Sequence, residues 1–85
     1  MTNLPIKNKI KVYRAMKDWT QEELANRVYV TRKTINTVEN CKYIPSAYLA
    51  LKIARAFGVP VEEVFQIDDG IPDEDLIEFS SHQEN

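Results

Sequence analysis

Residues 20–40 read TQEELANRVYVTRKTINTVEN, and this stretch decides the fold. Thr20-Gln21-Glu22-Glu23 has the form of a capping box. The Thr20 hydroxyl is placed to accept from the Glu23 amide, and the Glu23 carboxylate to bond back to the Thr20 amide. Trp19 before the cap and Leu24 after it have the spacing of a hydrophobic staple. The pattern predicts a helix from Gln21 to about Val28, with Leu24, Ala25 and Val28 facing inward. Tyr29-Val30 is a very short break. Thr31 then caps a further helix, about Arg32 to Asn40, that buries Ile35 and Val38. Helices this short do not stand alone in water. Their apolar residues, with small Ala25 where they cross closely, make them pack at a steep angle. The outer face of the second one, Arg32, Lys33, Asn36 and Thr37, is left free of core duties. Arg and Lys suit guanine O6/N7, Asn suits adenine N6/N7, and Thr offers a hydroxyl or a methyl to thymine.

Outward from this pair the chain continues to read as helix. Pro5 bars helix before it, so residues 1–6 are expected as an unstructured lead-in, followed by a first helix from about Asn8 to Met16 or Lys17. Cys41 to Pro45 form a loop, and Ser46 caps a fourth helix, about Ala47 to Phe57. There Leu49, Ala50, Ile53, Ala54 and Phe57 make an i, i+3, i+4 stripe. Gly58 follows as the residue that ends the helix, and Pro60 comes two positions later. Pro60 to Phe65 can form a short fifth helix, with Val61, Val64 and Phe65 closing the core. Beyond Gln66, Pro72 can start one helical turn over Asp73 to Phe79.

Two glycines in 85 residues, and no sustained period-2 alternation, argue against a β-rich fold. No apolar run is long enough for a membrane span, and no signal-peptide core is expected. The lone Cys41 excludes an intrachain disulfide and a multi-cysteine metal site, so a reducing, cytoplasmic setting is expected. The net charge of −2 hides an asymmetry. All eleven basic residues lie before position 66 with six acids, giving +5, whereas residues 66–85 hold seven acids and no Lys or Arg. A basic domain (residues 8–65, after a lead-in over 1–7) thus carries an acidic tail over 66–85.

Several ordered blocks at these separations resemble the Cro/repressor-type (XRE) helix-turn-helix family. They are Thr20-Gln21-Glu22-Glu23-Leu24-Ala25, Val30-Thr31-Arg32-Lys33-Thr34-Ile35, Val38-Glu39-Asn40, Tyr43-Ile44-Pro45-Ser46, and Leu51 through Val59. The resemblance runs from about Asn8 to Phe65. It implies an all-α, five-helix, lambda-repressor-like domain that binds double-stranded DNA, usually as a homodimer on pseudo-palindromic operators. It further implies that Arg32, Lys33, Asn36 and Thr37 face bases and that Gln21 fixes a phosphate. Thr31 and Thr34 would make phosphate or edge contacts, and Asn40, Lys42 and Tyr43 would grip the backbone. Arg14 and Glu39 match a partly buried salt bridge that joins the first helix to the third. Two departures stand out: Tyr29 and Cys41 occupy positions where the family usually has glycine, and where φ tends to be positive.

Other features have plain explanations. The pairs Glu22/Glu23 and Glu62/Glu63 sit at helix N-termini, where they complement the macrodipole. His82 has no nearby acid-nucleophile pattern, and no phosphate loop or nucleophile-base set is present. A transcriptional regulator that is not an enzyme, needs no cofactor and acts as a repressor is the expectation. Tyr48, Leu51 and the region near Val61 are candidate dimer contacts. The tail has three readings: a disordered solubilising tail, a segment whose Leu76, Ile77 and Phe79 dock on the partner subunit or extend the core, or an internal mimic of DNA. The alternative function is an antitoxin-like interaction module, with the tail as the segment that binds a partner protein.

Overall fold

The computed structural model describes residues 4–70. The order along the chain is β1 (Ile6–Asn8), α1 (Ile10–Lys17), α2 (Gln21–Val28), α3 (Arg32–Glu39), α4 (Ala47–Phe57), α5 (Val61–Val64) and β2 (Phe65–Ile67). The expected caps are in place at three helix starts. The Thr20, Thr31 and Ser46 hydroxyls accept from the amides of Glu23, Thr34 and Leu49 at 3.0, 3.2 and 3.1 Å. One core gathers Ile10 from α1, Leu24, Ala25 and Val28 from α2, Ile35 and Val38 from α3, four residues of α4, and Val64. Trp19 and Tyr13 close its edge by stacking on Phe57, with ring centroids 5.7 and 5.4 Å apart.

The structure departs from expectation at the ends of the domain. Residues 6–8 are a strand rather than lead-in and first helical turn, and α1 starts at Ile10. Its antiparallel partner takes Phe65 from the expected fifth helix and Gln66 and Ile67 from the expected tail, in register Ile6↔Ile67, Lys7↔Gln66, Asn8↔Phe65. Amides of Lys9 and Asp68 extend the pairing to the carbonyls of Val64 and Pro5, at 2.8 and 2.9 Å. Strands of three residues carry almost no local signal. They exist because α4 and α5 return the chain beside its own beginning. The capping box is also only half formed: the Glu23 carboxylate accepts from Arg27 Nε (2.8 Å), a charged partner one helical turn away. The helical turn expected over Asp73 to Phe79 lies outside the described residues.

Helices α1 to α4 all end in the same device, a left-handed residue after the last turn whose own amide and the next one cap exposed carbonyls. Asp18, Tyr29, Cys41 and Gly58 hold these positions at φ 61°, 62°, 59° and 77°. In each case the next amide reaches back five residues: Trp19 to Arg14, Val30 to Ala25, Lys42 to Thr37 and Val59 to Ala54, at 2.9–3.1 Å. The turns predicted at Tyr29 and Cys41 are therefore glycine-type turns made without glycine. Each costs on the order of 1 kcal/mol in backbone strain. Replacing Cys41 with Gly is expected to raise the stability of the full chain by about 0.5–1 kcal/mol, because only a weak thiol contact is lost. Urea unfolding at unchanged slope is the measurement.

The second consequence of the fold is the Arg14–Glu39 pair. Arg14 donates from Nε and Nη2 to the two oxygens of Glu39 (3.2 and 2.8 Å) and from Nη1 to the Trp19 carbonyl (2.9 Å). The side chains are 16% and 2% exposed, so Arg14 reaches water and Glu39 does not. Arg14→Met strands a buried carboxylate and should cost about 3–5 kcal/mol. Glu39→Gln should cost less, since Arg14 keeps Trp19 and water. The double variant should fall well short of the sum, which a double-mutant cycle by urea unfolding measures.

Candidate nucleic-acid interface

The outer face of α3 comprises two groups of side chains. The first is a hydrogen-bonded row. Gln21, at the first position of α2, donates from Nε2 to Asn36 Oδ1 (3.2 Å) and to Glu39 Oε1 (3.3 Å). Arg32 Nη1 donates to Gln21 Oε1 (3.3 Å), and Asn40 Nδ2 donates to the carbonyl and Oδ1 of Asn36 (2.9 and 3.0 Å). Both amide hydrogens of Gln21 are thus occupied, and the Asn36 oxygen accepts twice. What Asn36 leaves open is its own amide N–H pair. This row inherits its position from Glu39, which Arg14 holds from below.

The second group lines an open depression of about 240 Å³: Thr31, Lys33, Thr34, Thr37 and Tyr43. Lys33 and Tyr43 are exposed, while Thr34 and Thr37 are half-buried. Thr37 Oγ1 donates to the Thr34 carbonyl (2.9 Å), so its hydroxyl hydrogen belongs to the helix and its methyl and oxygen lone pairs remain. Thr31 and Thr34 hydroxyls lie 3.0 Å apart. Lys42, exposed, follows the left-handed Cys41 at the end of α3. The structure therefore gathers nine sequence-selected residues into these two groups on α2, α3 and the following loop, and leaves Lys42 exposed outside both.

One supporting residue escaped the sequence reading. Asn8 accepts at Oδ1 from the Ile10 amide (3.1 Å), which starts α1. Its Nδ2 donates to the Val38 carbonyl (3.0 Å), with the Glu39 carbonyl and Cys41 Sγ at 3.4 and 3.7 Å. It thereby ties the end of α3 to the sheet. An asparagine two residues before a helix is a legible cap; its second partner is 30 residues away and is not. Among the described residues no cluster of His, Cys, Asp or Glu could hold a metal ion, and no helix is long and apolar enough to cross a membrane.

Residues 10–64 match the helix-turn-helix family model. A helix-turn-helix-type transcriptional regulator of Methanocaldococcus jannaschii is 50% identical over 64 residues, covering 75% of this chain and 97% of that protein. The Bacillus subtilis regulator YgzD is 44% identical with the same coverage of each chain. Among solved structures, a protein from Bacteroides fragilis superposes with a TM-score of 0.65 at 28% identity, covering 72% of this chain and 98% of that one. The clp gene regulator ClgR of Corynebacterium glutamicum has the same fold, with a TM-score of 0.59 at 24% identity, covering 88% and 74%. Five helices in this order among the described residues, a buried ion pair beneath a polar α3 and relatives matched over nearly their whole length lead to one assignment: the chain belongs to the XRE-type helix-turn-helix family of DNA-binding transcriptional regulators.

Proposed function

We propose that the unit from Ile6 to Ile67 binds operator DNA by laying α3 in the major groove, and that the protein acts as a repressor by occupying its site. The observation that carries this reading is the Gln21–Arg32–Asn36–Asn40 row, which fixes polar side chains on an outer face that the core does not use. With its side chains a helix such as α3 is about 10–12 Å across, which a groove about 12 Å wide admits. Arg32 and Lys33 reach guanine edges, and Asn36 offers its free N–H donors to a purine N7. Thr37 meets a thymine through its methyl. Lys42, Tyr43 and Asn40 hold one strand's phosphates. Thr31, Thr34 and Gln21 hold phosphates from the helix N-termini, where the macrodipole is positive. Gln21 exchanges one internal bond for the phosphate as it does so.

A homodimer of this unit reads two half-sites about 10 bp apart. The chain works by binding alone, without a cofactor. Its +5 domain charge steers it to the duplex and makes affinity fall steeply with salt.

Selection of binding sites from a random duplex library tests this directly. A palindromic consensus is expected from the full chain, and Arg32→Ala/Lys33→Ala should abolish it. Each of these side chains should contribute about 1–3 kcal/mol of discrimination at its own base pair. Lys42→Ala should instead weaken all sequences alike and reduce the slope of log affinity against log salt by about 1. No enrichment by a folded chain at moderate salt would transfer the reading to a protein-interaction module.

A further inference from the structure

The exposed side of α4 has a chemistry that neither the core nor α3 uses. Lys52 lies between two tyrosines, its Nζ 4.6 Å from the Tyr48 ring centroid and 5.7 Å from that of Tyr29. Arg27, Tyr29, Lys52, Arg55 and Ala56 line an open depression of about 460 Å³, which shares no residue with the α3 face. Arg27 is already paired with Glu23 and lies over Trp19. No carboxylate among the described residues pairs with Lys52 or Arg55. Tyr48, Leu51 and Tyr29 are all exposed, at 71%, 57% and 86%. Tyr29 stands out further. It occupies a left-handed position that glycine would fill without strain, and its ring contributes to this face alone.

Cations between exposed aromatic and aliphatic groups call for a segment that is acidic and apolar together. The chain supplies one. Residues 71–79 read IPDEDLIEF, with four carboxylates set among Ile71, Leu76, Ile77 and Phe79. Phe79 lies nine residues beyond Gly70, a reach of up to about 30 Å when extended, against a radius of gyration of about 11 Å for a domain this size. Tethering gives the segment an effective concentration in the millimolar range, so a weak contact suffices. A second copy suits this face less well. About a two-fold axis the Lys52 and Arg55 row would oppose itself, although Tyr48 and Leu51 were candidate dimer contacts on sequence grounds. We propose that the acidic, apolar segment 71–79 docks on the Tyr29–Tyr48–Lys52–Arg55 face of its own chain. Docked there, its carboxylates are held off the α3 face, and α3 remains open to DNA.

Amide correlation spectra and hydrogen exchange of the full chain test this without DNA, so failure here leaves the DNA-binding reading intact. Lys52→Glu/Arg55→Glu should shift the amides of residues 73–79 and remove exchange protection on the order of tenfold there, with α1 to α3 unchanged. Adding Asp73→Lys/Asp75→Lys to that variant should restore both signals. Tail amides that ignore the Lys52/Arg55 change overturn the proposal. So does a response to Arg32→Glu/Lys33→Glu instead, which would put the segment on the α3 face as a mimic of DNA. A signal that depends on protein concentration would assign the contact to a second copy and overturn the in-chain form.

Discussion

Glu39 is the point on which the rest of the structure turns. Its carboxylate is buried at the end of α3, a place where a charge is tolerated only with several strong partners. Arg14 supplies two hydrogen bonds from α1 and Gln21 a third from α2, so one residue fixes the mutual position of three helices. The same Gln21 then aligns Asn36 and Arg32. Structural support and the outer polar row are thus one connected network. Among the described residues that are not exposed, no fully buried side-chain nitrogen or oxygen lacks a partner, so the network closes without a residual penalty.

Around that centre the domain is assembled from local devices with little redundancy. Side-chain hydroxyls start α2, α3 and α4, and left-handed residues end α1 through α4. The left-handed turns keep the connections short enough for eight-residue helices to meet on a single core. Only Gly58 among the four adopts its conformation without strain; aspartate at Asp18 is among the better substitutes, tyrosine and cysteine are not. Two of the strained residues adjoin the outer cationic faces: Cys41 begins the loop after α3, and Tyr29 borders the cationic face of α4.

Charge is segregated as well as balanced. The +5 of residues 1–65 and the −7 of residues 66–85 nearly cancel over the whole chain, which leaves net charge a poor guide to what the protein binds. Apart from the exposed Lys7, Lys9, Lys11 and Lys17 around β1 and α1, two surfaces share the exposed cations. On α3 they are joined to amides and hydroxyls, which suit base edges and phosphates. On α4 they are joined to tyrosine and leucine, which suit a mixed acidic and apolar peptide.

Helices α2, α3 and α4, the hydroxyls that cap them, their inward residues and the outward position of Arg32, Lys33, Asn36 and Thr37 were legible in the sequence. Each rests on interactions between residues three to five positions apart, and such patterns survive in one dimension. The Arg14–Glu39 pair became legible only through resemblance to a family, because 25 positions separate its members. What tertiary structure alone decided is non-local. The β1–β2 pairing arose where chain ends meet, the second half of the Asn8 bonding depends on where α3 stops, and Glu23 turned to Arg27 rather than to its cap. The lines that join Gln21 to Asn36 and Lys52 to its two tyrosines belong to the same class. Side chains choose among competing partners only when packing brings those partners within reach, and a sequence pattern carries no record of that competition.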